Sequence, residues 1–497
     1  MERAGHHAGE PATASPVVDQ AAPPPPADAA RSYPAWVPAL TRLLLRVFFG
    51  RIEVTGAAAI PAGRPLLYVA NHNNGLVDPM LVLGFLPGRP RFLAKNTLWT
   101  IAVLRPFLAL ARVIPVYRPR DTGFDPARNE ESFRRCREVL EAGGAVALFP
   151  EGKSHSAPAL AELKTGAARI LLGLAPRARR ALALVPVGLV FDAPGMFRSR
   201  VLVAVGEPVD GERLGLVDGA GGDDAVRRVT DAIAAALAEV TLSYGSWDEA
   251  RLLARVADLW LQPDPEVPAQ PPLADRFAAR RRVLERYRDL VRTRPERVAP
   301  LAAAVVAYDE LLSAHGLRDE QVGAAYPLPS VLRFLAESLW LLLVRLPLAA
   351  VGTVLDYVPY RVCGWAGALA ARDPDQPATF KLFGGILLFP LTWAIEAVVA
   401  WRLLGWWAAL AVAVLGPLGG WAAVRFRDRV RWLFTEARAF LVLERPGGAG
   451  DELRCRRAEV RRQLLALAEE LGEVAPRPAA SEPPPAASSP RSSGLGV

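Results

Sequence analysis

Residues 382–400 and 403–424 are two apolar runs of spanning length, parted only by Trp401 and Arg402. No other feature restricts the chain as much. A membrane-crossing helix needs about 20 largely apolar residues, and two in tandem around a tight turn make a hairpin. Trp393, Trp401, Trp406, Trp407 and Trp421 suit aromatic belts at the membrane surfaces. Arg425, Arg427, Arg429 and Arg431 follow the second run, and Arg361, Arg372 and Lys381 precede the first. Basic residues on both outer flanks predict a hairpin that enters at about 382, turns at Arg402 and returns by 424. The apolar stretch 331–358 carries Arg333, Glu337 and Arg345. It is expected in the interface or as a re-entrant pair, because a third full span would put one basic flank on the wrong side.

Composition agrees with a membrane-associated chain. Of 497 residues 52% are hydrophobic, and 40 Gly raise the apolar share above that of ordinary soluble domains. Collagen, wholesale disorder and a disulfide-stapled mini-protein are excluded. Cys136, Cys363 and Cys455 lie far apart with no Cys-x-x-Cys pair, so neither a zinc cluster nor a disulfide framework is expected. The 59 Lys+Arg against 51 Asp+Glu leave a charge of +8, which suits an anionic surface or substrate. Nucleic acid is a poor partner, since the arginines are interleaved with acids and carry no nucleic-acid motif. The first residues include Glu2 and Glu10 and lack the apolar core of a signal peptide. Abundant Ala, Arg and Pro point to a GC-rich bacterial genome.

The expected organisation is a disordered Ala/Pro-rich arm at 1–33, an α/β domain at 34–245, a charged helical region at 246–328, a membrane region at 329–432 with its hairpin at 382–424, a helical segment at 433–474 and a disordered tail at 475–497. Trp36–Phe49 has helical spacing and suits either a membrane surface or a core. In the α/β part, 65–71, 145–150, 182–191 and 201–206 have strand length and turn-rich borders. Helix-like segments at 129–142 and 161–174 alternate with them, which predicts a mostly parallel sheet. The Arg/Glu-rich stretch around 276–298 reads as a solvated helical face.

Five blocks carry chemistry. In "VANHNNGLVDPM", His72 follows a predicted strand and Asp78 lies six residues on. A carboxylate that holds one ring nitrogen protonated leaves the other as a base. Such a base can take the proton of a hydroxyl attacking an acyl carbonyl. "IPVYRPRD" supplies Arg118 and Arg120, whose forks suit phosphate. "FPEGKSHS" offers Glu151, an acceptor for substrate hydroxyls, and Gly152, which lets a ligand approach the backbone. "LKTGAARI" adds Lys164, and "VPVGLVF" is a further strand end.

In this order the blocks resemble the phospholipid/glycerol acyltransferase family, over roughly residues 65–210. The resemblance implies His72 as general base with Asp78 as its partner, flanked by Asn71 and Asn74. It implies Arg118 and Lys164 on the acceptor phosphate, Glu151 and Gly152 lining the acceptor site, and Lys95 as a basic position before an apolar, membrane-facing segment at 97–116. His155 is expected in a supporting structural role. It further implies no metal and no cofactor: acyl-CoA or acyl carrier protein is the co-substrate, a small phosphate the acceptor and membrane lipid the partner, at the cytoplasmic side of a bacterial inner membrane. Five residues, Asn73 to Val77, separate His72 from Asp78, where the common block has four. That spacing resembles the branch acylating glycerol 3-phosphate or dihydroxyacetone phosphate, as in the fungal reticulum enzymes; Ser156 departs from that branch, which carries an acid there. The alternatives are acylation of lysophosphatidate and a non-catalytic membrane scaffold.

Overall fold

The computed structural model describes residues 32–102, 104–117, 126–217, 222–261, 271–323, 328–370, 377–445 and 447–473. The α/β part contains α1 (Trp36–Phe48), β1 (Arg51–Thr55), β2 (Leu66–Ala70), α2 (Val77–Phe85), β3 (Arg91–Lys95), α3 (Arg105–Leu110), β4 (Ile114–Val116), α4 (Pro126–Glu141), β5 (Ala145–Leu148), α5 (Gly166–Leu172), α6 (Pro176–Ala181), β6 (Ala183–Phe191), β7 (Arg200–Val205), β8 (Val209–Asp210) and α7 (Asp223–Ala238).

The strands form one sheet in the order β1-β7-β6-β2-β5-β3-β4, with β8 also on β6. Strands β6, β2, β5, β3 and β4 are mutually parallel, as expected, while β7 runs antiparallel to β6 and takes β1 with it. Central β2 is buried along its whole length. Its Leu66, Tyr68 and Ala70 enter a core with α1 and α2, and its Leu67 and Val69 enter a second core with α4, α5 and α7. Helices on both faces are what a parallel sheet requires. The turns after β2, β5 and β6 therefore leave from one edge of the sheet, where such folds gather their ligand-binding groups.

Helix α1 resolves the choice left open for its segment by using both faces. Val37, Thr41, Leu45 and Phe48 are buried, while Trp36, Leu40, Leu43 and Val47 form a second apolar stripe that is 43–61% exposed. A stripe of that kind suits a membrane surface.

Four helices follow: α8 (Trp247–Trp260), α9 (Leu273–Thr293), α10 (Pro295–His315) and α11 (Asp319–Gly323). The first arginines of α9 are shielded, while Arg282, Arg286, Arg288 and Arg292 are exposed as expected. Arg276 bonds Asp258 at 2.9 Å and reaches Asp192 at 3.4 Å, Arg280 lies 3.9 Å from Asp258, and Arg281 bonds Glu239 at 2.8 Å. Leu273 is buried with Leu202 and Ala204 of β7. The charges thus clamp α9 to the sheet, which alternation of Arg and Glu along one helix cannot reveal.

Three further helices, α12 (Leu328–Ala370), α13 (Pro377–Leu404) and α14 (Trp406–Leu443), contain segments long and apolar enough to cross a membrane, and α15 (Ala449–Glu470) packs back onto the helical region. Helices α13 and α14 form the expected hairpin, turning at Gly405, whose φ of 89° favours glycine. The outer surfaces of these helices expose Leu403, Leu404, Trp407 and many other large apolar side chains, a surface for lipid rather than water.

Helix α12 is continuous but not straight. Arg429 donates to Ser338 Oγ at 2.8 Å and Arg427 donates to Tyr360 OH at 2.7 Å, so residues far apart on α12 meet α14 at one level. A straight helix would separate Ser338 from Tyr360 by about 33 Å. Between them the backbone of Gly352 lies against that of Gly419. Pro347, inside the helix, cannot donate the hydrogen bond that would keep it straight. Helix α12 therefore bends within the segment 331–358, and its stretch Leu335–Ala366 is long and apolar enough to cross a membrane. Trp393 of α13 donates to Asp356 Oδ1 at 2.7 Å and ties α12 to the hairpin.

Candidate active site

The loop from β2 to α2 carries the first block. His72 Nδ1 lies 2.9 Å from Asp78 Oδ2. The same oxygen accepts the backbone N–H groups of Asn73 and Asn74, each at 2.7 Å. The five-residue spacing is thus a compact turn that folds its own amides onto the carboxylate. Asp78 is fully buried, and burial pushes its carboxyl above the usual range, against the His72 hydrogen bond and the two amides, which favour the ionised form. Three donors on one oxygen hold the His72 proton at Nδ1, which leaves Nε2 as the basic atom. The imidazole is 17% exposed and stacks on Phe149 with ring centroids 4.1 Å apart. The histidine therefore has a fixed tautomer and a fixed plane.

The Phe-Pro-Glu-Gly turn after β5 backs this loop. Glu151 is 1% exposed, and its two oxygens are taken by the protein. Oε1 accepts the His72 backbone N–H at 2.7 Å, and Oε2 accepts Ala161 N–H at 2.8 Å and the His155 Nε2–H. His155 Nδ1 accepts Ala157 N–H at 3.1 Å, which fixes its proton on Nε2, and His155 N–H donates to His72 O at 3.0 Å. The expectation that Glu151 accepts substrate hydroxyls is corrected here. A buried carboxylate with both oxygens engaged holds the His72 backbone in place instead. His155 takes the supporting role expected of it.

Gly152 has a φ of 72°, and a side chain there would meet the Lys164 stem at 3.2 Å. That contact, with Lys164 N–H on Pro150 O at 2.7 Å, brings exposed Lys164 to the same turn. Lys95 is exposed at the end of β3, one strand beyond β5, where it pairs with Val116 just before Tyr117. Arg118 and Arg120 lie outside the described residues. Asn74 and Asn71 serve the fold. Asn74 is buried and donates to Pro194 O at 2.8 Å, and Asn71 makes two hydrogen bonds with the backbone of Leu189 on β6. Asn74 is therefore a loop anchor, not the substrate contact expected of it.

One participant was invisible in the motifs. Leu76, inside the His72–Asp78 loop, donates its N–H to Thr379 Oγ1 at 3.1 Å in the first turn of α13. Lys381 donates to Gly195 O at 3.0 Å, and Arg198 bonds Asp428 of α14 at 2.8 Å. Ala378 and Leu382 are buried in the same core as Val77 and Leu81, and Phe107 of the expected membrane-facing segment packs edge-on against Phe383. The membrane hairpin thus roots directly under the histidine loop. Separations of 303 and 186 residues leave no local signal.

Residues 51–190 match the acyltransferase family model. Glycerol-3-phosphate O-acyltransferase 2 of Saccharomyces cerevisiae is 30% identical over 237 residues, 45% of this chain and 30% of that protein. A chloroplastic 1-acyl-sn-glycerol-3-phosphate acyltransferase of Arabidopsis thaliana is 28% identical over 144 residues, 29% of this chain and 36% of that protein. The chain thus spans about a third of the length of these curated relatives, 30% and 36%. The crystal structure of the 1-acyl-sn-glycerophosphate acyltransferase from Thermotoga maritima aligns with a TM-score of 0.28 at 21% identity, over 41% of this chain and 76% of that one.

Proposed function

The domain at residues 51–190 belongs to the phospholipid/glycerol acyltransferase family, and from that premise we propose that this chain acylates glycerol 3-phosphate or dihydroxyacetone phosphate from an acyl thioester. The observation that carries the reading is the buried Asp78 carboxylate 2.9 Å from His72 Nδ1, with the His72 side chain 17% exposed.

In the proposed reaction the acceptor hydroxyl gives its proton to His72 Nε2 as its oxygen attacks the thioester carbonyl carbon. Asp78 stabilises the imidazolium that forms. The tetrahedral intermediate collapses, the carbon–sulfur bond breaks, and the proton passes from His72 to the departing thiolate of CoA or a carrier protein. Atoms and charge balance without a metal or an acyl-enzyme. Lys95, Lys164 and Arg118 are the groups proposed for the acceptor phosphate, as paired cations at a site where phosphate must be held against water.

The membrane setting supports the reading. A fatty acyl chain gains about 0.8 kcal/mol per CH₂ in lipid, so its transfer to a water-soluble phosphate belongs at the interface. The two arms of the hairpin meet the α/β domain through Lys381 and Asp428, with Arg427 and Arg429 on either side of Asp428. By the positive-inside rule that side is the cytoplasmic face, in a bacterium that of the inner membrane. The Arabidopsis relative favours a second reading, in which the acceptor already bears one chain.

The test is an acceptor panel with the reconstituted protein, a long-chain acyl thioester and His72→Ala as control. Acylation of glycerol 3-phosphate or dihydroxyacetone phosphate, lost in the variant, is expected. Acylation of lysophosphatidate alone would establish the second reading, and turnover retained by His72→Ala would overturn both.

A further inference from the structure

The connection from β6 to β7, residues 192–199, touches the histidine loop, both arms of the membrane hairpin and the end of α1. Pro194 O accepts from buried Asn74 of the histidine loop at 2.8 Å, and Gly195 O accepts from Lys381 of α13 at 3.0 Å. Further on, Arg198 N–H donates to Phe48 O and Gly50 N–H donates to Ser199 O, both at 2.8 Å, which lays the connection along the end of α1. The fit is close: a side chain at Gly50 would fall 2.6 Å from Arg198 O.

Arg198 joins these contacts. Its φ is 69°, in the left-handed region that a residue with a Cβ occupies at a cost and glycine does not. Its side chain is 19% exposed and reaches three acceptors. Nε donates to Asp428 Oδ2 of α14 at 2.8 Å, and Nη1 donates to Phe49 O at 3.0 Å and to Arg46 O at 3.3 Å. These two carbonyls lie at the C-terminal end of α1, which favours a cation. In turn α1 holds α2, the helix that carries Asp78, by Arg42 Nη1 on Gly84 O at 2.9 Å. Where glycine would let the backbone turn freely, the side chain of Arg198 supplies the reason for the cost: it ties the connection to α1 and to α14 at once.

We propose that Arg198 is a positioning residue for the reaction, which through Pro194 and Asn74 sets the place of His72 relative to the hairpin. The proposal rests on His72 as the base of the acyl transfer. The ion pair with Asp428 holds the connection against α14, and Pro194 O then holds Asn74, whose own N–H is one of the donors on Asp78. A base displaced by about 1 Å loses rate while the acceptor still binds, so the effect belongs in kcat and not in KM.

The experiment compares Arg198→Gly, Asp428→Asn and Asp428→Glu with the wild type in nanodiscs. It reads steady-state acylation of the acceptor that the panel identifies, thermal unfolding, and amide exchange of the peptide covering 71–78. Glycine removes the side chain and the backbone cost together, so the melting temperature should move by no more than about 4 °C. Arg198→Gly should lower kcat about tenfold, leave the acceptor KM within about twofold and speed exchange at the Asn73 and Asn74 amides severalfold. Asp428→Asn should lower kcat about threefold, the effect of one partly exposed ion pair, and Asp428→Glu, which keeps the carboxylate, should restore it. Wild-type kcat in Arg198→Gly, a raised KM in place of a lowered kcat, or unchanged exchange at 71–78 would overturn the proposal, as would Asp428→Glu no faster than Asp428→Asn. A wild type that acylates no acceptor would overturn the acyltransferase reading, and exchange, which needs no turnover, would still decide whether Arg198 holds the His72 loop.

Discussion

Asp78 and Asp319 are both almost wholly buried, and both hold a nitrogen base in the interior. Their surroundings differ in one respect that decides what each can do. Asp319 is closed on itself: Arg457 meets its two oxygens at 2.9 and 3.2 Å and Tyr308 OH donates at 2.7 Å, with both charged side chains out of solvent. Asp78 instead collects three donors on one oxygen, while the partner it orients, His72, keeps 17% of its side chain exposed. A buried carboxylate becomes chemical machinery when its partner carries the effect to a surface; when the partner is buried too, it is a rivet.

Substituting each aspartate separates the two roles, with the largest effect at the site. Asp78→Asn keeps an oxygen for His72 Nδ1 and the two amides but removes the charge that supports an imidazolium. Turnover should fall by about 10³, within the range for a general base that has lost its support. The fold should lose no more than about 1–3 kcal/mol, the cost of an amide left without a partner. Steady-state rates alongside thermal unfolding test this, and wild-type turnover would remove Asp78 from the mechanism.

Asp319→Ala should do the reverse. It leaves Arg457 buried without its counter-charge, which costs about 3–5 kcal/mol. Turnover per folded molecule should stay unchanged at temperatures where the variant is folded. A variant that melts like the wild type would mean that water reaches Arg457, and the contrast with Asp78 would fail.

Between these extremes stands Glu151, where the Glu151→Gln variant distinguishes support from contact. The new amide cannot accept from His72 N–H, Ala161 N–H and His155 together, so its NH₂ group would face one of three donors. The His72 backbone should shift, lowering kcat by about tenfold to 10²-fold. The KM for the phosphate acceptor should not move. A raised KM at constant kcat would restore the acceptor-contact role that the residue pattern suggested.

That pattern made some of the site legible and hid the rest for physical reasons. His72 and Asp78 could be paired because their partnership is local, six residues along one turn after an apolar strand. Strands β2, β5, β6 and β7 could be read because each is a short apolar run. The short β3 and β4, with Arg91 and Pro115 in them, lack that signature. Glu151 was placed correctly at a turn but given the wrong task, since which way a carboxylate faces depends on burial set by β2 and β5 together. The hairpin was legible from hydropathy and flanking charge. The exposed face of α9 was legible at Arg282, Arg286, Arg288 and Arg292, but Arg276, Arg280 and Arg281 turn to Asp192, Asp258 and Glu239, which lie far off in sequence.

Thr379 is where the two regions of the molecule meet, and its effect should be the smallest of the four. Its hydroxyl accepts the Leu76 N–H at 3.1 Å, so the histidine loop borrows one hydrogen bond from the first turn of α13. Thr379→Val preserves shape and burial but leaves that N–H without an acceptor. A net loss of about 1 kcal/mol, directed at the loop geometry, corresponds to a roughly fivefold lower kcat. Thr379→Ser keeps the hydroxyl and should restore the rate, a rescue that a packing role alone would not produce. The Val effect should shrink when the protein is assayed in detergent, if the bilayer seats α13 and thereby fixes the height of Thr379 under the loop. Equal rates for the Val and wild-type proteins in bilayers would mean that Asp78 and Glu151 hold the loop unaided, and that the hairpin anchors the domain without tuning its chemistry.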